Sequence, residues 1–152
     1  MEYIMFSFWF MLVHVGAYML AGILALRISK DIYEGRQRLM DYLRDMSDEK
    51  ERKVVEKLVI PGQVFRGILL SVPLYFLIGP LGEMAFFPKF GFIFSLLFIY
   101  THISSAAPCP DNVEGFIYLK DRYFSKKAFL KFQMEMVIYS LLASIFAAGF
   151  LF

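Results

Sequence analysis

Four long apolar runs, separated by segments that hold nearly all the charge, leave this chain few ways to fold. The runs cover residues 3–26, 62–81, 90–107 and 132–152. A helix crossing a hydrocarbon core of roughly 30 Å needs about 20 apolar residues. In lipid the backbone must also satisfy its polar groups internally, which a helix does. A water-soluble bundle would carry charge on one face of each helix, at a period near 3.6. These runs are apolar on every side. The expected fold class is therefore all-α, an integral membrane four-helix bundle forming one membrane domain over 1–152. The apolar fraction of 59 % fits that reading, against roughly 45–50 % for soluble chains.

Orientation is read from lysine and arginine. Arg27, Lys30, Arg36, Arg38, Arg44, Lys50, Arg52, Lys53, Lys57 and Arg66 lie in the first connection and its edges, and Lys120, Arg122, Lys126, Lys127 and Lys131 in the third. The second holds only Lys89, with Pro80, Gly82 and Pro88 making a tight turn. Connections one and three are thus expected in the cytoplasm, with both termini non-cytoplasmic. The first run lacks a basic n-region and is too long for a signal core, so it is expected to be a span. A net charge of +2 gives no reason to expect a nucleic-acid partner. Cys109 is the only cysteine, which rules out an intrachain disulfide.

Segment 27–60 mixes both signs of charge. Ile32, Leu39, Met40 and Leu43 recur at helical spacing, as do Val54, Val55, Leu58 and Val59. This predicts two short amphipathic helices, broken at Met46-Ser47-Asp48 with Ser47 as N-cap, and ended by Pro61-Gly62. Segment 108–127 opens with Pro108-Cys109-Pro110-Asp111-Asn112, which cannot be helical, and resumes as a short interfacial helix. Asp111-Asn112-Val113-Glu114 has capping-box spacing, and Ser125 is placed to cap the fourth span.

Two groups of polar residues stand out. His14 lies near the middle of the first span, with Tyr18 one turn on. The pair suits either a relay or an interhelical hydrogen bond, with Tyr18, Ser71 or Ser140 as candidate partners. Arg66, His102, Asp111, Asn112, Glu114 and Glu135 are expected together at the cytoplasmic boundary as a polar pocket, with Arg66 and Glu135 paired and tuning His102. Snorkelling and capping explain the same residues without a pocket. His102, Cys109, Asp111 and Glu114 are close in sequence but lack ligand spacing, so no metal site is expected. The sequence points to no cofactor. Ala17, Ala21 and Ala25, like Ser140, Ser144 and Ala148, form small-residue ridges for close helix packing or self-association.

The layout resembles that of the small four-span membrane transferases of eicosanoid and glutathione metabolism. Their glutathione-binding motif is absent: Gln63-Val64-Phe65-Arg66-Gly67 matches it in one arginine. Layout does not carry function, and no family is assigned. The expected function is non-enzymatic. The protein would bind or move a lipophilic or small polar molecule, or act as an accessory subunit of a membrane complex. Its partners would be membrane lipid, a lipophilic ligand, and a second copy or partner subunit. The alternative is a small membrane enzyme acting on a lipophilic substrate at the cytoplasmic leaflet, with His102 as acid or base and Arg66 holding an anionic group.

Overall fold

The computed structural model describes residues 3–152. They form α1 (Tyr3–Ile28), α2 (Lys30–Tyr33), α3 (Glu49–Tyr75), α4 (Ile78–Glu83), α5 (Phe86–Ser95), α6 (Val113–Tyr118) and α7 (Lys126–Phe150). A π-helical stretch, Leu96–Ile103, continues α5, and a short 3-10 turn, Asp121–Tyr123, follows α6. Four of these helical stretches are long and apolar enough to cross a membrane: Tyr3–Ile28, Glu49–Tyr75, Phe86–Ile103 and Lys126–Phe150.

The second span differs most from expectation. Pro61 and Gly62 do not end a helix; α3 runs unbroken through Pro61 and Pro73. Each proline removes one backbone donor, a loss that long apolar helices tolerate when the freed carbonyl finds another partner. The predicted break at residues 46–48 is present, but the cap is Asp48, whose side chain accepts from the Lys50 and Glu51 amides. At the other end α3 stops at Tyr75. Phe76 and Leu77 then turn into α4, where the expectation of a simple tight turn misses a buried Leu81. The third span begins at Phe86 rather than residue 90, because Pro88 sits in a first turn that needs no amide donor.

The first of the two predicted amphipathic helices is reduced to the single turn of α2. Side chains take over several of the backbone hydrogen bonds of residues 34–48, and turns supply others. Asp45 accepts from the Gly35 amide at 3.0 Å and the Ser47 amide at 2.9 Å. Arg38 donates to the carbonyls of Gly35, Asp41 and Leu43. Gly35 has a φ of 91°, a left-handed conformation that suits glycine. Met40 turns inward instead and forms a small core with Ile32 and Ala128.

The extensive pairings are α1 with α3, α1 with α7, and α7 with α5. No comparable pairing joins α3 to α5, so the four spans associate as a row, α3–α1–α7–α5. The expected bundle is not closed into a ring by such a contact. Along α1 and α3 the antiparallel register can be followed residue by residue. Gln63 meets His14, Gly67 meets Met11, Ser71 meets Ser7, and Tyr75 meets Tyr3. Both small-residue ridges are buried, Ala17, Ala21 and Ala25 on α1 and Ser140, Ser144 and Ala148 on α7, and α1 and α7 share one core with Phe6, Phe10, Tyr139 and Ala143. Without water to drive helices together, close backbone approach of this kind supplies the van der Waals contact that holds them. At the Tyr3 end, buried Lys89 donates to the Phe152 carbonyl at 2.7 Å and ties the start of α5 to the end of α7.

Two glycines of α3 report on that register. A Cβ on Gly67 would lie 3.0 Å from the Met11 Cα, whereas one on Gly62 meets open space. Gly67→Val should cost about 1–3 kcal/mol through overpacking. Gly62→Ala should gain about 0.5–1 kcal/mol, the usual helix-interior difference. Thermal unfolding of both variants in one detergent checks the pair. Equal melting temperatures would mean that Gly67 is not in the α1–α3 seam.

Candidate functional site

Polar side chains gather at two levels. The first is halfway along α1. His14 is almost fully buried. Its Nδ1 lies 2.6 Å from the Tyr139 hydroxyl on α7, and its Nε2 lies 3.1 Å from Gln63 Oε1 on α3. With the ring proton on Nε2, the imidazole donates to Gln63 and accepts from Tyr139, so both nitrogens are satisfied. The Tyr18 ring lies against both His14 and Tyr139, with centroids at 6.3 and 6.2 Å. Of the partners anticipated for His14, Ser71 bonds Ser7 instead, and the Ser140 hydroxyl is buried without a partner.

Arg66 belongs to this level and not to that of His102. It lies one turn beyond Gln63 on α3, and its guanidinium carbon is 5.9 Å from the centre of the Tyr139 ring. The side chain is half-buried. No ion pair to Arg66 occurs among the described residues, so the expected pairing with Glu135 is not made. The register explains the discrepancy. Because α3 starts at Glu49 rather than at Gly62, Arg66 is displaced inward along the span.

The second level lies at the basic end. Buried His102, near the end of the π-helical stretch, has Nδ1 3.3 Å from Asp111 Oδ2 and Nε2 3.2 Å from Gln133 Oε1. Gln133 Nε2 donates to the Asp111 carbonyl at 2.6 Å, which fixes its oxygen toward the ring. Both ring nitrogens therefore face side-chain oxygens. His102 also closes a column of rings at four-residue spacing, Phe86, Phe90, Phe94 and Phe98. π-helical turns are often found at functional sites; here one aims His102 at α7 and the 108–112 segment.

Asn112, not Asp111, caps α6. Its Oδ1 accepts from the Gly115 amide at 2.8 Å and the Cys109 amide at 3.1 Å, while Nδ2 donates to the Ser105 and Ala107 carbonyls. A Cβ on Gly115 would overlap the Cys109 carbonyl, so this tight loop requires glycine there. Ser125 caps α7 as expected, accepting from Ala128. Burial, followed by the Asp111 carboxylate, pushes the Cys109 thiol up, which disfavours the thiolate. Glu114 lies in the first turn of α6 and joins neither level.

Glu135 has a third setting. One oxygen accepts from the Tyr33 hydroxyl at 2.7 Å. Its other oxygen and the Ser29 hydroxyl are also buried. Burial, then the Glu135 carboxylate, pushes the Tyr33 hydroxyl above its ordinary range and keeps it a donor. The six residues expected as one pocket are thus divided. His102 and Asp111 meet, Asn112 holds their loop, and Arg66, Glu135 and Glu114 lie elsewhere. Gln63, Gln133, Tyr139 and Tyr33 complete these clusters and were not anticipated. For Gln63, Gln133 and Tyr139 the signal was uncharged polarity inside apolar runs, which is easily discounted; Tyr33 lies in the charged first connection and carried no such signal. Among the described residues no group of three or more His, Cys, Asp or Glu side chains could hold a metal. An open groove of about 560 Å³ between α1 and α7 is lined by Trp9, Leu12, Leu20 and Phe150 among others, and holds none of these polar residues.

The chain matches no protein-family model, no curated protein and no solved structure.

Asp31 anchors α2 to α7 through ion pairs with Lys127 and Lys131. Hydrogen bonds from the two lysines hold its carboxyl below the ordinary 3.8. A depressed folded value contributes stability in full above the unfolded one and loses it as pH falls through the folded one. Protection of residues 29–33 from hydrogen exchange, corrected for intrinsic rates, should therefore fall progressively below about pH 4. Asp31→Asn should flatten that acid limb and lower protection at neutral pH. Identical acid profiles for the two proteins would show that the clip does not hold α2.

Proposed function

We propose that the protein is a non-enzymatic multi-pass membrane protein that binds an anionic group within the bilayer, at Arg66. In this reading the basic end faces the cytoplasm, following the lysine and arginine bias. The supporting observation is a half-buried guanidinium, midway along a span, with no carboxylate partner among the described residues. Insertion scales assign a central arginine about 2.5–3.5 kcal/mol, and such residues face partners of opposite charge or polar cavities. Gln63, His14 and Tyr139 supply dipoles beside it but no charge. The π face of Tyr139 offsets part of the cost. An anion entering from the membrane would offset the rest.

This narrows the earlier expectation of a protein that binds or moves a lipophilic or small polar molecule, or serves in a complex. The catalytic alternative has less support. It needs His102 and Arg66 in one site, whereas His102 spends both nitrogens on Asp111 and Gln133. Arg66 lies with α1 and α7 instead.

Tetraphenylborate, a bulky anion that enters the bilayer interior, tests the proposal against tetraphenylphosphonium, the cation of the same shape. The anion should raise the melting temperature of the reconstituted protein in a saturable way, and the cation should not. Arg66→Gln should weaken that effect at least about tenfold, the equivalent of 1.4 kcal/mol. Lys127→Gln should leave it intact. A response that ignores the sign of the ion, or survives loss of Arg66, would exclude an anion site there.

A further inference from the structure

Three features of α3 say what kind of anion would reach Arg66. The first is depth. Arg66 lies about nine residues from the Tyr3–Tyr75 end, or roughly 14 Å at the helical rise. That is about half of a hydrocarbon core of roughly 30 Å. Lipid phosphates lie beyond the core on either side, so a headgroup does not come to this level. The second is the row of spans. α3 pairs extensively with α1 alone, so part of its surface has no helical neighbour. The third is Gly62, one turn before Arg66. It is exposed, and a Cβ built there meets nothing within 4 Å. A small residue one turn from a polar one is the arrangement that lets two helices approach and bond across the contact.

Among the described residues the chain offers no counter-charge of its own at that level. α1 and Phe86–Ile103 contain no acidic residue. The acidic residues of α3, Glu49, Glu51 and Glu56, lie toward the start of that helix, well before Arg66. Glu135 is the only acid of α7 and accepts from Tyr33. A second copy would therefore bring arginine to arginine.

We propose that the Gly62–Arg66 face of α3 docks a transmembrane helix of a different polypeptide, one that places an aspartate or glutamate at the depth of Arg66. This rests on the anion-binding reading above and names the carrier of the anion. The ion pair would satisfy two charges that are each costly alone in lipid. A desolvated arginine–carboxylate contact also fixes depth and rotation, because the planar guanidinium bonds both carboxylate oxygens. Specificity would come from that pair and close packing from Gly62.

The test uses the full chain in phosphatidylcholine vesicles, labelled with a donor dye at Cys109, which is exposed and the only cysteine. The probe is a polyleucine transmembrane peptide with one central glutamate and an acceptor dye at each end. Peptides with glutamine or leucine at that position are the comparisons. The glutamate peptide should give saturable energy transfer at an apparent affinity at least about tenfold above the leucine peptide. Arg66→Gln should remove that advantage, and Arg66→Lys should restore most of it. Gly62→Leu should weaken peptide binding while leaving the tetraphenylborate response unchanged. Tetraphenylborate bound through Arg66, with all three peptides equivalent, would overturn the helix partner and leave the anion site standing. No Arg66-dependent response to either probe would overturn both.

Discussion

One imidazole in hydrocarbon organises this protein. His14 cannot leave either ring nitrogen unpaired at the middle of a span, where no water is at hand. It takes Gln63 from one helix and Tyr139 from another, and so fixes α3 and α7 against α1 at the same height. The apolar surfaces alone would not set that height, since one leucine slides past another at little cost and lipid tails compete equally. The small-residue seams bring the backbones close, and the His14 bonds stop them from slipping. The level of Arg66 on α3, and the approach of Tyr139 to its guanidinium, follow from this one node.

The same solvent logic explains how much could be read in advance. Four apolar runs declared four long helices, and Ser125 and the Pro108–Asn112 break were legible because caps and prolines act locally. The alanine ridge of α1 was legible too, because small residues at four-residue spacing leave few other uses. Helix ends that depend on tertiary partners were not legible. Pro61 looked like a boundary, yet α3 passes through it. That one shift of the span carried Arg66 from the expected boundary to the middle and dissolved its pairing with Glu135. Residues 34–48 misled for the opposite reason. Their apolar periodicity was real, but Asp45 and Arg38 offered the backbone better partners than a helix would.

Of the residues expected together at the basic end, the structure brings two into contact, for a reason of geometry. His102 and Asp111 do meet, because a π-helical stretch and a proline-punctuated loop bring nearby parts of the chain together. Glu135 and Arg66 sit on other helices, and nothing in a single sequence sets the relative heights of two helices. Gln133 illustrates the complementary blind spot. An uncharged amide reads as a tolerable polar interruption, yet it orients the His102 ring and anchors the loop backbone at once.

The π-helical stretch has one more consequence, for the membrane itself. Phe86–Ile103 is the shortest of the four spans, 18 residues. At the α-helical rise it reaches only about 27 Å, and wider π turns climb less per residue. A core of roughly 30 Å would exceed that length and put the third helix under hydrophobic mismatch with its surrounding lipid. Being an end member of the row, it meets lipid with few neighbours to share the strain. The bilayer should be thinnest along that edge, drawing headgroups and water inward toward the Ser104–Asp111 loop and the His102 pair behind it. On the opposite edge, the longer α3 would sit in membrane of ordinary thickness, and the protein would tilt the lipid plane from one flank to the other.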